Sequence, residues 1–273
     1  MPPNTVNECK CYNSLVMPTP YSDINALLQE LLSSVRAILG DQFVGLYLYG
    51  SLSSGDFDPE RSDIDFIVAT KDEPSEKAFH ELALMHERLA AGDSKWARKL
   101  EGAYIPLYSL RRYDPADPPH PFLNEGVFRI EHLGSDWIIQ RFVIREHGTV
   151  VAGPDPKILV DSVRPVDLRN AVRGILREWW LPNLEDPQRF ERRDYQAYAV
   201  LTMCRALYTL RHGAIASKPV SVQWARQALD QRWTPLIQRA AAWRLDDGVN
   251  DINQTHAFIR FTLDQAFDTA PGS

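Results

Sequence analysis

The chain has 273 residues, 44% of them apolar and 24% charged, with a formal net charge of −6. That length suits one large domain or two modest ones with a real core, and the acidic balance argues against a broad nucleic-acid or anionic-membrane surface. Three cysteines (Cys9, Cys11 and Cys204) make no disulfide framework, and Cys9-x-Cys11 lacks the second pair that a zinc site needs.

Residues 1–20 carry Pro, Asn and Cys without periodicity and read as a tail. No apolar stretch reaches the roughly 18 residues of a membrane helix. No basic-then-apolar leader is evident, so the cytoplasm is the expected compartment. From Ser22, a candidate cap, apolar positions Ile24, Leu27, Leu28, Leu31, Leu32, Val35 and Leu39 predict a helix that Gly40 stops. Two short β-branched and aromatic runs follow, 43–49 and 64–70, and predict buried strands. Pro74 opens a predicted helix to about Ala91, and 100–110 reads as a third strand. Residues 111–124 hold Pro115, Pro118, Pro119 and Pro121 and read as loop. A helix is predicted over 136–147. Gly153-Pro154-Asp155-Pro156 then breaks the pattern and is the candidate boundary between a unit over 21–156 and one over 157–273. The second unit reads as all helix, near 165–181, 191–213, 219–231, 233–245 and 253–268, punctuated by Pro165, Pro182, Gly213, Pro219, Pro235 and Gly248. Strand–helix alternation followed by pure helix predicts a small α/β domain with a helical bundle appended.

Charge divides unevenly: residues 1–159 hold 15 basic and 23 acidic side chains, residues 160–273 hold 15 and 13. The informative stretch lies in the acidic part. Gly50-Ser51 ends the first strand, and Ser62-Asp63-Ile64-Asp65 opens the second. Side chains at spacing two on a strand share a face. Neighbouring carboxylates repel and resist burial unless a cation stands between them. A magnesium ion held by one or two carboxylates and by substrate phosphates meets that need. The Gly-Ser turn offers backbone N–H groups and a hydroxyl to the same phosphates.

This constellation resembles the Gly-Ser and Asp-x-Asp pattern of the nucleotidyltransferase superfamily. Glu101 opens the third strand, expected beside the one holding Asp63 and Asp65; it is either a base for the acceptor hydroxyl or an exposed strand-end carboxylate. Val200-Leu201-Thr202-Met203-Cys204-Arg205-Ala206-Leu207-Tyr208, followed by Gly213, Lys218, Trp224 and Ala225, resembles the helical domain of the streptomycin and spectinomycin adenylyltransferases. The Arg145-Glu146-His147-Gly148 and Val150-Val151-Ala152-Gly153-Pro154 run resembles that family's link between domains.

The resemblance implies a nucleotidyltransferase fold, a small mixed sheet with flanking helices, ahead of a C-terminal helical bundle. It implies ATP as co-substrate and Mg²⁺, two ions, held by Asp63 and Asp65. Gly50, Ser51, Ser62, Arg205 and Lys218 would contact the triphosphate, and Glu101 would be the general base. A hydroxyl of an aminocyclitol or aminoglycoside would accept AMP, with no nucleic acid or membrane partner. The chain departs from the pattern ten positions before Arg205, where an acidic contact is expected and Tyr195 stands beside Asp194. Protein or RNA acceptors, and an antitoxin-like binding module, are the alternatives. Trp179, Trp180, Trp224 and Trp243 read as core aromatics, and His147 and His212 as surface residues.

Overall fold

The computed structural model describes residues 17–60, 62–243 and 250–267. Cys9, Cys11, Gly248 and most of the expected tail lie outside the described residues. α1 (Ser22–Leu39) buries Ile24, Leu27, Leu28, Leu31, Leu32, Val35 and Leu39 on one stripe. Ser22 is its first helical residue; Tyr21 occupies the N-cap without a side-chain bond, and Gly40 closes the helix at φ 52°. β1 (Phe43–Leu48), α2 (Ser51–Ser54), β2 (Ile64–Thr70), α3 (Glu76–Ala91), β3 (Leu100–Pro106) and α4 (Leu107–Arg111) follow. α3 begins just after Pro74, capped by Ser75, whose Oγ accepts the Ala78 N–H at 3.2 Å. The third strand stops at Pro106, short of 110, because the backbone there turns into α4.

The Pro-rich stretch differs from its reading as loop. β4 (His120–Asn124) and β5 (Val127–Glu131) form a hairpin closed by Glu125 and Gly126, both with positive φ, the geometry that matches strand twist in two-residue turns. β3 pairs with β4 at Phe122 and Leu123, so Pro121 stands beyond that ladder and its missing N–H breaks nothing there. The buried His120 ring ties β4 down: Nδ1 lies 3.1 Å from Glu73 and Nε2 lies 2.9 Å from the Ser109 hydroxyl. After α5 (Asp136–His147) comes β6 (Thr149–Ala152), in the segment read as the link. The sheet order is β5-β4-β3-β2-β1-β6, with β2 and β3 parallel and every other pair antiparallel. α3 supplies the crossover that a parallel pair needs.

Alternation along β2 splits the core. Phe66 and Val68 face α1 and α3, while Ile67 and Ala69 face Trp137 and Ile144 of α5. Each fully buried apolar side chain of this size contributes about 1.5–3 kcal/mol. α6 (Pro156–Leu159) follows, and Leu159 and Val160 join the second of these clusters. Arg145 Nη1 donates to the carbonyls of Lys157 at 2.6 Å and Val160 at 2.7 Å. Arg111 and Arg112 pair with Asp161 at 3.4 and 2.7 Å. The chain is thus fastened to the sheet as far as Asp161.

The helical part holds α7 (Pro165–Ile175), a π-helical turn over Leu176–Trp180, α8 (Leu181–Asn183), α9 (Arg193–His212), α10 (Lys218–Ala228), α11 (Thr234–Ala242) and α12 (Ile252–Phe267). α9 is its axis and packs against α7, α10, α11 and α12. Trp180 is 1% exposed, but Trp179 is 48% exposed; successive residues of a helical turn point to different sides, so only one of the two reaches the core. Among the described residues, no helix is long and apolar enough to cross a membrane.

Candidate active site

Asp63 stands just before β2, and Asp65 is its second residue. In the parallel pairing of β2 with β3, Asp65 lies opposite Glu101, so the strand register brings the third carboxylate alongside. Burial pushes the Asp65 carboxyl up to about 7, and the charges of Glu101 and Asp63 add to the shift. Burial also pushes Glu101 up to about 7, helped by Asp63, Glu125 and Glu131. Asp63 is raised by burial as well, while Lys99 and Lys218 draw it back. Lys218 and Arg205 also draw Asp65 back, but burial and the neighbouring carboxylates outweigh them.

Gly50 has φ 65°, and a Cβ built on it would collide with the Asp65 carboxylate. Only glycine permits that approach at that backbone angle. The Tyr49 N–H donates to the Asp65 carbonyl at 3.1 Å, which locks the turn to β2. Gly50→Ala is therefore expected to fold with a lower Tm, since positive φ alone costs about 1–2 kcal/mol in an L-residue. An unchanged Tm would show that Asp65 does not crowd this position. Ser51 starts α2 directly after Gly50. The Ser62 hydroxyl accepts the Asp58 N–H at 3.0 Å, and the Ser62 N–H donates to the Asp58 carbonyl at 2.8 Å. The Ser62 hydroxyl proton stays available to an outside acceptor.

The helical part supplies the opposite wall. α9 has a second face, Asp194, Tyr198, Leu201, Arg205 and Tyr208, at helical spacing and turned away from its core face. Burial lowers the Arg205 pKa, and its Nε has no hydrogen-bond partner among the described residues. Lys218 opens α10, and its pKa is lowered by burial and by Arg205. Between the walls lies a cleft of about 1760 Å³. It is lined by Gly50, Ser51, Ser62, Asp63 and Asp65 on one side and by Arg205 and Lys218 on the other. Glu101 stands one strand over, outside that lining, toward the β4–β5 hairpin. The structure therefore assembles seven of the eight sequence-derived residues around one cleft and sets Glu101 beside Asp65.

Reading the sequence missed Tyr49 and Tyr198, which also line the cleft, and Lys99, which faces Asp63; Trp243, read as a core aromatic, lines the cleft instead. The helical period of the second α9 face could have found Tyr198. Among the described residues, no group of three or more His, Cys, Asp and Glu side chains forms a complete metal cage. Two half-met carboxylates beside a roomy cleft fit instead a cation that completes its shell with ligand oxygens, as Mg²⁺ does.

Residues 28–112 match the family described as nucleotidyltransferase domain, and residues 159–267 match the one described as aminoglycoside adenylyltransferase, C-terminal domain. The chain is 28% identical over 231 residues to an aminoglycoside (3'') (9) adenylyltransferase of Shigella flexneri, covering 80% of this chain and 84% of that protein. It is 23% identical to a spectinomycin 9-adenylyltransferase of Campylobacter jejuni, over 78% of this chain and 82% of that one. The crystal structure of a spectinomycin adenyltransferase from Enterococcus faecialis, with ATP and spectinomycin, superposes with a TM-score of 0.70 at 18% identity. That likeness covers 88% of this chain and 98% of the other, and it carries the fold.

Proposed function

The chain is a nucleotidyltransferase that carries the C-terminal domain of the aminoglycoside adenylyltransferases, and on that premise we propose that it moves AMP from ATP to a hydroxyl of an aminocyclitol or aminoglycoside such as spectinomycin, with Mg²⁺. The observation that carries this reading is the opposition of Asp63 and Asp65 to Arg205 and Lys218 across one cleft, with Glu101 beside the carboxylates. A polyphosphate needs cations, and Arg offers a forked donor to its oxygens. Arg205 and Lys218 grip the triphosphate from the helical side, while Gly50, Ser51 and Ser62 hold it from the sheet side. Asp63 and Asp65 would hold magnesium, which when bound neutralises charge that develops on the phosphates.

Glu101 takes the proton of the acceptor hydroxyl. The new bond forms between that oxygen and the α-phosphorus, and the bond to the pyrophosphate oxygen breaks. Its place outside the cleft lining suits a base that serves the acceptor rather than the nucleotide. The Glu125 and Glu131 charges near Glu101 favour a cationic acceptor there.

The test is incubation of the purified protein with labelled ATP, Mg²⁺ and, in parallel, spectinomycin, streptomycin, total protein and RNA. Label on an aminocyclitol or aminoglycoside is the expected result. Label on protein or RNA instead would replace the acceptor class, and no Mg²⁺-dependent transfer to any acceptor would overturn the reading.

A further inference from the structure

Lys99 ends a single 3₁₀ turn (Ala97–Lys99) just before β3. Its side chain runs beneath the turn that leads into β2. Nζ donates to the carbonyls of Pro59 at 3.3 Å, Glu60 at 3.1 Å and Ser62 at 3.5 Å. An ammonium has three N–H donors, and all three are spent on this one turn. The stem is held as well. Nζ lies 5.5 Å from the centre of the Trp96 ring, which is 2% exposed and donates from Nε1 to Asp23 at 2.6 Å. Phe57, from the same turn, packs on that indole at 5.7 Å.

The turn carries its own acids: Asp56, Asp58 and Glu60 line the cleft next to Asp63. The Lys99 ammonium sets a positive charge among these acids. Its charge is also the leading attraction at the Asp63 carboxylate. Charge-assisted bonds of this kind are roughly twice as strong as neutral ones.

We propose that Lys99 is a positioning residue for nucleotide capture: without touching the nucleotide, it fixes the backbone at Pro59, Glu60 and Ser62 so that the Ser62 hydroxyl and the Asp63 carboxylate meet the polyphosphate together. This rests on the adenylyl-transfer reading above and assigns the anchor of its phosphate-binding turn.

The test compares Lys99→Met, which keeps most of the stem and loses the charge, with Lys99→Arg. Calorimetry with Mg²⁺ and ATP gives Kd without any acceptor, and thermal denaturation of the same full-length proteins gives Tm. Lys99→Met is expected to weaken ATP binding about tenfold or more, the scale of a lost charge-assisted contact. Lys99→Arg is expected to recover most of that loss, with both Tm values within a few degrees of the parent. A lowered Tm with unchanged Kd in Lys99→Met would mark a merely structural lysine and overturn the proposal. So would a loss of binding that Lys99→Arg does not relieve. Failure to find an acceptor for the parent protein strikes the functional reading and leaves this binding test in force; a parent that binds no ATP overturns both.

Discussion

Asp65→Asn is expected to remove adenylyl transfer, by roughly 10²–10³-fold or more, the scale on which single electrostatic groups act in such sites. The same change is expected to raise the Tm of the ligand-free protein. Asp65 sits on a buried strand with its carboxyl pushed up to about 7 by burial, Glu101 and Asp63, so its charged form is unfavourable there. An amide of the same shape removes that charge, and each kcal/mol so recovered is worth about 2–4 °C in a chain of this size. The pH dependence follows by linkage. Between its unfolded value near 4 and about 7, the folded carboxyl holds a proton that the unfolded chain has released. Stability of the ligand-free protein therefore falls as pH rises through that window. Thermal scans of the parent and of Asp65→Asn from pH 4 to 8, without nucleotide, measure the difference directly. A parent that gains stability over that range relative to the variant would contradict this account of the carboxylate.

Glu101→Gln is expected to slow transfer by roughly 10²-fold or more while Kd for ATP stays near that of the parent. A base must be ionised to act, and the Glu101 carboxyl is pushed up to about 7 by burial, Asp63, Glu125 and Glu131. kcat/KM for the acceptor should accordingly fall as pH drops below about 7 in the parent, and that limb should vanish in the variant. Unchanged turnover with Gln at 101 would move the base elsewhere. The contrast with Lys99→Met is informative: one variant spares nucleotide affinity and loses rate, the other loses affinity.

Asp63 and Asp65 were legible as a pair from their two-residue spacing, although only Asp65 lies on β2 and Asp63 stands one residue ahead of the strand expected to carry both. Glu101 was legible only conditionally, since its partnership with Asp65 depends on the β2–β3 register, which nothing local dictates. The hairpin of β4 and β5 was hidden by its prolines. Pro121 is tolerated because the β3 ladder begins one residue later, a matter of pairing rather than propensity. Asn124-Glu125-Gly126 was a turn signal that the density of prolines obscured. Lys99 could not be singled out: a lysine before a strand is ordinary, and its meaning comes from three carbonyls about 40 residues away in sequence. Trp179 and Trp180 show a limit of another kind, because helical spacing assigns faces to a run of residues but not to adjacent ones.

The fastening of the chain to the sheet as far as Asp161 leaves only Ser162 and Val163 between that anchor and Arg164, the N-cap of α7. α5 and α7 also touch. A strap that short holds the start of α7 within about 11 Å of Asp161, the full reach of three extended residues. Lengthening the strap would loosen that hold on the helical wall while leaving every chemical group in place.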